Sequence, residues 1–486
     1  VDMHNTAVGF NSMYALTTGI KNNAVGSYSL DAAVTGDFNN AFGYQALSGN
    51  TSGGSNSAFG HNAMAASSTG SSNVAVGRDS LLANTTGAQN VAVGSLALDA
   101  NTTADNNVAV GYAALSTVST GANNVAIGTR ALNVNAASNN VAVGLSAARY
   151  TTTGTGNVAI GYLAFEDNTT GANNIAIGSS ALDANTTSSY SVAVGQGALT
   201  ASTVGSQTAV GNNALSANTT GAYCTAVGYA AAGLQTTGAG VTAMGYNALA
   251  SVTTAAYHTA FGYLALEDNT TGATNCAVGA YALYQNTTGD NNTAIGISAG
   301  GSNTGGDNNT SLGRSALNAN VASNNTAVGK DAGISVTTGA SNTFVGAEAG
   351  DATDDGASNT AVGYAALSAN CGGSNVAVGV HALSVVTGSE NVGVGVAAGV
   401  AITSGDNNIC IGLDSARAGS PGGAATTGSD SVYIGDENIG DAYIQVDWTV
   451  ASDERDKTDF TALDVGLDFV NALAPVTYKW DKRSKY

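Results

Sequence analysis

The chain has 486 residues, of which 65 are Gly and only two are Pro; 9% are charged, and the net charge is −20. An acidic but weakly charged surface excludes a binder of phosphate backbones, and no run of 18 apolar residues offers a membrane-spanning helix. The four cysteines, Cys224, Cys276, Cys371 and Cys410, have no close spacing, so they read as small buried hydrophobes rather than a metal or disulfide set.

From the first residues the chain repeats. The glycine closing each Ala-Val-Gly-like motif falls at Gly9, Gly26, Gly43, Gly60 and so on to Gly412 and Gly435; 19 of the 25 intervals are 17 residues, five are 16 and one is 23. Asn precedes that glycine by four residues in 20 of 26 repeats and Ala precedes it by two in 21; the residue just before it is always apolar. A small-large pair follows at plus three and plus four, as in Ala97-Leu98 and Ala114-Leu115, and a second glycine lies seven residues before the first in 19 repeats. A short period held this long specifies a solenoid, since one unit cannot bury its apolar face alone.

Each piece of the unit has a local reading. Val-Ala-Val alternates with period two and is β-branched, so it reads as a short strand. Ala at minus two demands a thin interior. The glycines suit positions with φ > 0 or close backbone approach. Asn recurring in register predicts an amide ladder up the stack. Pro, which cannot donate to a ladder, is missing before Pro421. A helix fails, because two glycines per unit would cost about 1 kcal/mol each. The expected fold is all-β: a parallel β-roll or β-solenoid of about 26 coils over residues 1–436, with two short strands and two corners per coil. At about 4.8 Å per coil the rod would be on the order of 120 Å long.

A coil offers about three large apolar side chains, worth roughly 1.5–3 kcal/mol each when buried. Ordering its residues costs about 1.5 kcal/mol apiece. A lone roll is therefore marginal, and a homotrimer that buries a second face is expected. The Asn-x-Ala-Val/Ile-Gly-x-x-Ala motif resembles the head repeats of trimeric autotransporter adhesins, and that resemblance implies left-handed parallel β-rolls assembled as trimers.

The repetition stops after Gly412 with the turn-rich Ala418-Gly-Ser-Pro421-Gly-Gly, and a last motif follows at Ser431-Val-Tyr-Ile-Gly435. Residues 437–451 read as a linker and closing strand. Beyond them composition changes: residues 452–486 hold 13 charged residues, against 33 in the preceding 451. They open with Ser452-Asp453-Glu454-Arg455-Asp456-Lys457. Thr461 can cap a helix whose Leu463, Leu467, Val470 and Leu473 share one face, and Ala472-Leu473-Ala474-Pro475-Val476-Thr477-Tyr478-Lys479-Trp480 follows. This Ser-Asp-x-Arg-x-Lys pattern, joined to the later Pro-Val-x-Tyr-x-Trp, resembles the C-terminal intramolecular chaperone of phage tailspikes and tail fibres. The resemblance implies the N-terminal part of a small α+β domain that trimerises, templates fibre assembly and then cuts itself off before the motif serine. It places the scissile bond at Ala451–Ser452, with Ser452 as nucleophile, Lys457 as base, and Asp453 and Arg455 in support.

Within the repeats no nucleophile, base and orienting group can be assembled. Glu166-Asp167 and Glu267-Asp268 read as isolated acidic spots. His258 occupies an Asn slot. Gly-Asp-Asn-Asn at Gly289, Gly306 and Gly405 reads as ordinary turns rather than Ca²⁺ sites, and Asn-Thr-Thr sequences such as Asn101-Thr-Thr are candidate glycan acceptors. No cofactor and no metal are expected. The reading is a phage tail fibre for host adsorption, extracellular on the virion. Its partners would be further copies of itself, a host surface glycan or protein, and other tail or baseplate proteins reached through sequence upstream of Val1. The alternative is a bacterial adhesin head on a cell surface; an ice-binding solenoid would want unbroken Thr-x-Thr rows, which lapse here.

Overall fold

A computed structural model describes residues 4–32, 34–117, 120–420, 422–441 and 443. It contains 26 three-residue strands, from β1 (Thr6–Val8) through β7 (Val108–Val110) and β8 (Val125–Ile127) to β26 (Val432–Ile434). Each strand pairs in parallel with the next in sequence, so Val108, Ala109 and Val110 lie beside Val125, Ala126 and Ile127. The described residues contain no helix. The fold is an all-β parallel solenoid, one coil per repeat, and its compact unit closes at Asn438.

Each coil carries one strand rather than the expected two. The small-large pair does not extend; it turns. Leu98, Leu115 and Leu132 have φ of 52°, 50° and 47°, and residues two after and five before the glycine, such as Leu96 and Asn106, are also left-handed. Such a conformation is unfavourable for a residue with a Cβ. Hydrogen bonds to adjacent coils compensate: Leu98 N–H donates to Ala114 O at 3.0 Å, Leu96 to Arg78 O at 3.0 Å, and Asn106 to Ala88 O at 3.1 Å. Backbone bonding between coils, not an extended second strand, forms that side of the coil.

The core is a thin column. The strand-centre Ala92 and Ala109, the small Ala97 and Ala114 and the large Leu98 and Leu115 are all fully buried. Of the three large apolar residues in a coil, only the Leu points inward. The strand residues flanking the alanine face outward, leaving Val76, Ile127 and Ile160 38%, 41% and 37% exposed.

Where the repeat varies, volume is conserved. Phe344 takes an alanine slot, and its own coil and the coil before it carry Gly350 and Gly333 where Leu is usual. A Cβ on Gly350 would lie 2.6 Å from the Phe344 ring, and one on Gly333 would lie 2.8 Å from it. Phe344→Ala is expected to cost about 3–5 kcal/mol through the cavity it leaves. Adding Gly333→Leu and Gly350→Leu, which restores the usual pattern, should recover much of the loss in a denaturation series; no recovery would refute the volume exchange.

The irregular intervals fall in loops and spare the strands. Asn168 reaches the carbonyl three residues on (Gly171), whereas in the 16-residue interval Asn135 reaches the carbonyl two residues on (Ala137). That shorter interval has lost its residue there, and Val125 still pairs with Val141. The insertion before the last coil loops out, tied at its base by Ala425 N–H to Ala416 O at 3.1 Å, so Ile409 still pairs with Val432.

Candidate functional site

The residues expected to carry chemistry, Ala451, Ser452, Asp453, Arg455 and Lys457, lie outside the described residues, as do the helix from Thr461 and the Pro475–Trp480 segment.

Two buried amide ladders organise the coil. In the expected one, Asn107 Oδ1 accepts the Asn124 backbone N–H at 3.0 Å, and Asn107 Nδ2 donates to Gly121 O at 2.9 Å on the next coil. The second was not read from sequence. Asn84, Asn101, Asn269 and Asn286 are fully buried; Asn101 Nδ2 donates to Asn84 Oδ1 at 3.0 Å, and Asn286 Nδ2 to Asn269 Oδ1 at 2.9 Å. Ten-residue spacing before the glycine was the available signal. Because Asn101 is buried with its Nδ2 committed to Asn84 Oδ1, Asn101-Thr-Thr is no glycan acceptor in the folded protein. The threonines that follow are also structural: Thr85 Oγ1 donates to Thr102 O at 2.9 Å.

Asn gives way in the first ladder over five successive coils, at Ser191, Gln207, Cys224, Val241 and His258, although Gln207 Nε2 still donates to Gly221 O at 2.7 Å. His258 does fill an Asn slot, with its Nδ1 accepting from Asn275 N–H at 3.4 Å. Burial, the dominant cause, lowers its pKa to about 4. Since the unfolded imidazole titrates near about 6.5, only the unfolded chain gains a proton between those values. His258 therefore favours the fold above about pH 6.5, and that contribution is lost as pH falls toward 4, at most about 3 kcal/mol. Asp183 acts in the opposite sense, because burial and then the charges of Asp167 and Glu166 raise it to about 6. His258→Asn is thus expected to gain stability over wild type as pH drops from 7 to 4; a pH-independent difference in melting temperature would refute this.

The acidic pairs are not isolated. Glu166 pairs with Arg149 at 3.5 Å, and Glu267 accepts from Asn247 Nδ2 at 3.0 Å. In the Gly-Asp-Asn-Asn turns, Asp406 Oδ1 accepts Ser389 N–H at 2.7 Å, and Asp307 Oδ1 accepts Asp290 N–H at 2.8 Å, so these carboxylates serve the stack. Among the described residues no three His, Cys, Asp or Glu side chains converge to hold a metal ion. Burial also raises the thiols of Cys224, Cys371 and Cys410, the last to about 11. They are unreactive small core groups.

Sequence reading also missed an aromatic row. Tyr229, Tyr246 and Tyr263, each one residue after its glycine, stack with centroids 5.3 and 5.5 Å apart. Tyr281 and Tyr284 continue the row edge-on at 5.4 and 5.6 Å. The signal was there, since the first three recur every 17 residues. Beside the row are two open depressions. One of about 230 Å³ is lined by Tyr281, Tyr284, Gln285, Ser298, Ser302 and Asn318 over Gly301. Another of about 300 Å³ lies along Asn213, Gly233, Leu234 and Ser251. Neither is a deep acidic cleft.

Among the described residues no helix is long and apolar enough to cross a membrane. No curated protein matches the chain. Residues 452–485 match the family described as chaperone of endosialidase, and a 26-strand solenoid leading into that segment fits a phage tail-fibre or endosialidase-type protein.

Proposed function

We propose that this chain is the shaft of a phage tail fibre that adsorbs to a host surface, and that its C-terminal segment templates a homotrimer. The carrying observation is the chaperone match at 452–485 placed directly after the solenoid. The outward strand residues support self-association. They form two columns along the whole sheet, the one beside the glycine always apolar, and they leave outside the chain the large side chains that a marginal single roll needs to bury. Further copies of the same chain cover them. Other tail or baseplate proteins would join the fibre, which would be extracellular, on the virion.

In the same reading the segment cuts itself at Ala451–Ser452. Ser452 Oγ attacks the Ala451 carbonyl carbon, its proton passes to Lys457, and the peptide nitrogen leaves as the Ser452 amine; water then hydrolyses the ester. A hydroxyl needs such a base to become nucleophilic. Asp456, adjacent to Lys457 in sequence, favours the protonated amine and so slows the step. Asp453 and Arg455 would hold the turn.

The test is expression of the full-length gene with intact-mass and light-scattering measurements. Wild type should yield a product ending at Ala451 whose particle mass is three times that of one product chain. Ser452→Ala should leave the chain uncut. Identical uncut masses for both would exclude cleavage, and a monomeric particle would exclude the trimer.

A further inference from the structure

The tyrosine-walled depression next to Gly301 has what a sugar ring needs and little that suits an anion. We propose that it binds a neutral glycan, with Tyr281 and Tyr284 as the stacking wall and Gln285, Ser298, Ser302 and Asn318 as the polar rim. This deepens the adsorption reading and rests on it.

Three observations carry the assignment. The first is the wall. Tyr263 and Tyr281 cross at 75°, and Tyr281 and Tyr284 at 80°, so the parallel stack of Tyr229, Tyr246 and Tyr263 ends there. The Tyr281 and Tyr284 rings both line the depression, and a pyranose presents a face of C–H groups to such an aromatic wall; stacked aromatic contact adds to simple area burial. Tyr281 is 39% exposed.

The second is the rim. The side-chain amides of Gln285 and Asn318 and the hydroxyls of Ser298 and Ser302 make no hydrogen bond within the described residues, although most Asn side chains of the stack are committed to ladders. They supply both donors and acceptors, as sugar hydroxyls require. The backbone behind them is fixed: Gln285 N–H donates to Gly301 O at 2.9 Å, and Ser302 N–H to Asn318 O at 2.8 Å. Gly301 makes the room, since a Cβ there would lie 2.5 Å from Asn318 Oδ1.

The third is charge. From Tyr150 to Gly313 the chain has no Lys or Arg, and the cation that follows, Arg314, is paired with Asp331 at 3.3 Å. The Glu267 and Asp268 carboxylates lie near enough to raise the Tyr284 phenol. A sialylated, sulfated or phosphorylated ligand would meet negative charge without a partner, whereas a neutral hexose or N-acetylhexosamine would not. The lining residues come from the turns after the strand, and none belongs to the outward strand columns. A trimer that covers the sheet face therefore takes none of them from the strands.

The experiment applies the full chain to an array of neutral hexose and N-acetylhexosamine oligosaccharides beside sialylated and sulfated ones. Tyr284→Ala and Ser298→Trp, which remove the wall and fill the depression, are run in parallel with melting curves. Wild type should retain neutral glycans in preference to acidic ones, and each variant should bind about tenfold or more weaker, the loss expected from a stacking anchor, with melting unchanged. No retained neutral glycan, a preference for acidic ones, or undiminished binding in both variants would overturn the site. Adsorption to a panel of bacterial strains separates the two readings. Strain adsorption that survives in both variants leaves the fibre role standing without this site. Array binding with no adsorption to any strain leaves the site standing and removes the fibre role.

Discussion

Replacing Gly111 by Val is expected to cost about 3 kcal/mol or more and to split thermal unfolding into two steps. Gly111 has φ of +136°, a region that side chains rarely adopt, and a Cβ there would meet the Gly128 carbonyl oxygen at 2.6 Å. The obstacle is backbone, not a flexible side-chain tip, so the coils at β7 and β8 must separate to admit the substitution. Gly94 stands in the same relation to Gly111, at 2.4 Å, which shows the contact to be a property of the stack. In a solenoid each coil rests only on its neighbours, so the flanking coils should keep their structure and unfold on their own. Gly428→Ala is the control. Nothing lies within 4 Å of a Cβ at that glycine, and the change should stay within about 0.5 kcal/mol. Equal melting curves for Gly111→Val and wild type would remove the close-approach role of the whole glycine column.

The glycine column, the alanine interior and the first Asn ladder were legible because each recurs at a fixed offset and each permits one physical reading. The rest was hidden for identifiable reasons. Leu98 and Asn106 carry no mark of a left-handed backbone; the conformation is imposed by bonding to adjacent coils, so an expected second strand became turns. The outward set of Val91 and Val93 was visible as alternation, but alternation alone does not say that the inner face belongs to the alanine. Phe344 breaks the alanine column in sequence, and it is the packing of Gly333 and Gly350 against its ring that accounts for it. The tyrosine row was visible at 17-residue spacing, yet its turn from parallel stack to exposed wall at Tyr281 depends on side-chain geometry that no spacing encodes.

The polar residues of this protein fall into two kinds. Asn residues with committed amides hold coils together, and the free amides of Gln285 and Asn318 line an open depression where a ligand could use them. Ladder residues should therefore govern stability and leave binding alone, while rim residues such as Gln285 should do the reverse.

Asn107→Leu tests the first half of that division and is expected to cost about 2–5 kcal/mol. The volumes are similar, so packing changes little. What changes is that the Asn124 backbone N–H loses its acceptor at 3.0 Å and Gly121 O loses its donor at 2.9 Å. Both lie in the buried part of the coil, where an unpaired polar group bears its full desolvation penalty. The natural lapses show how such a loss can be softened. Where Cys224 fills the slot, Gly238 O on the next coil is still held by the amide of Gln235 in the second ladder. At Gly121 the corresponding second-ladder residue in sequence is Val118, whose side chain carries no donor. Asn107→Leu should therefore lower the denaturation midpoint sharply, whereas Val241→Asn, which returns an amide to a lapsed slot, should leave it unchanged or raise it. Equal midpoints for Asn107→Leu and wild type would mean that the ladder amides are replaceable by packing alone, and the stack would then owe its register to glycine and alanine only.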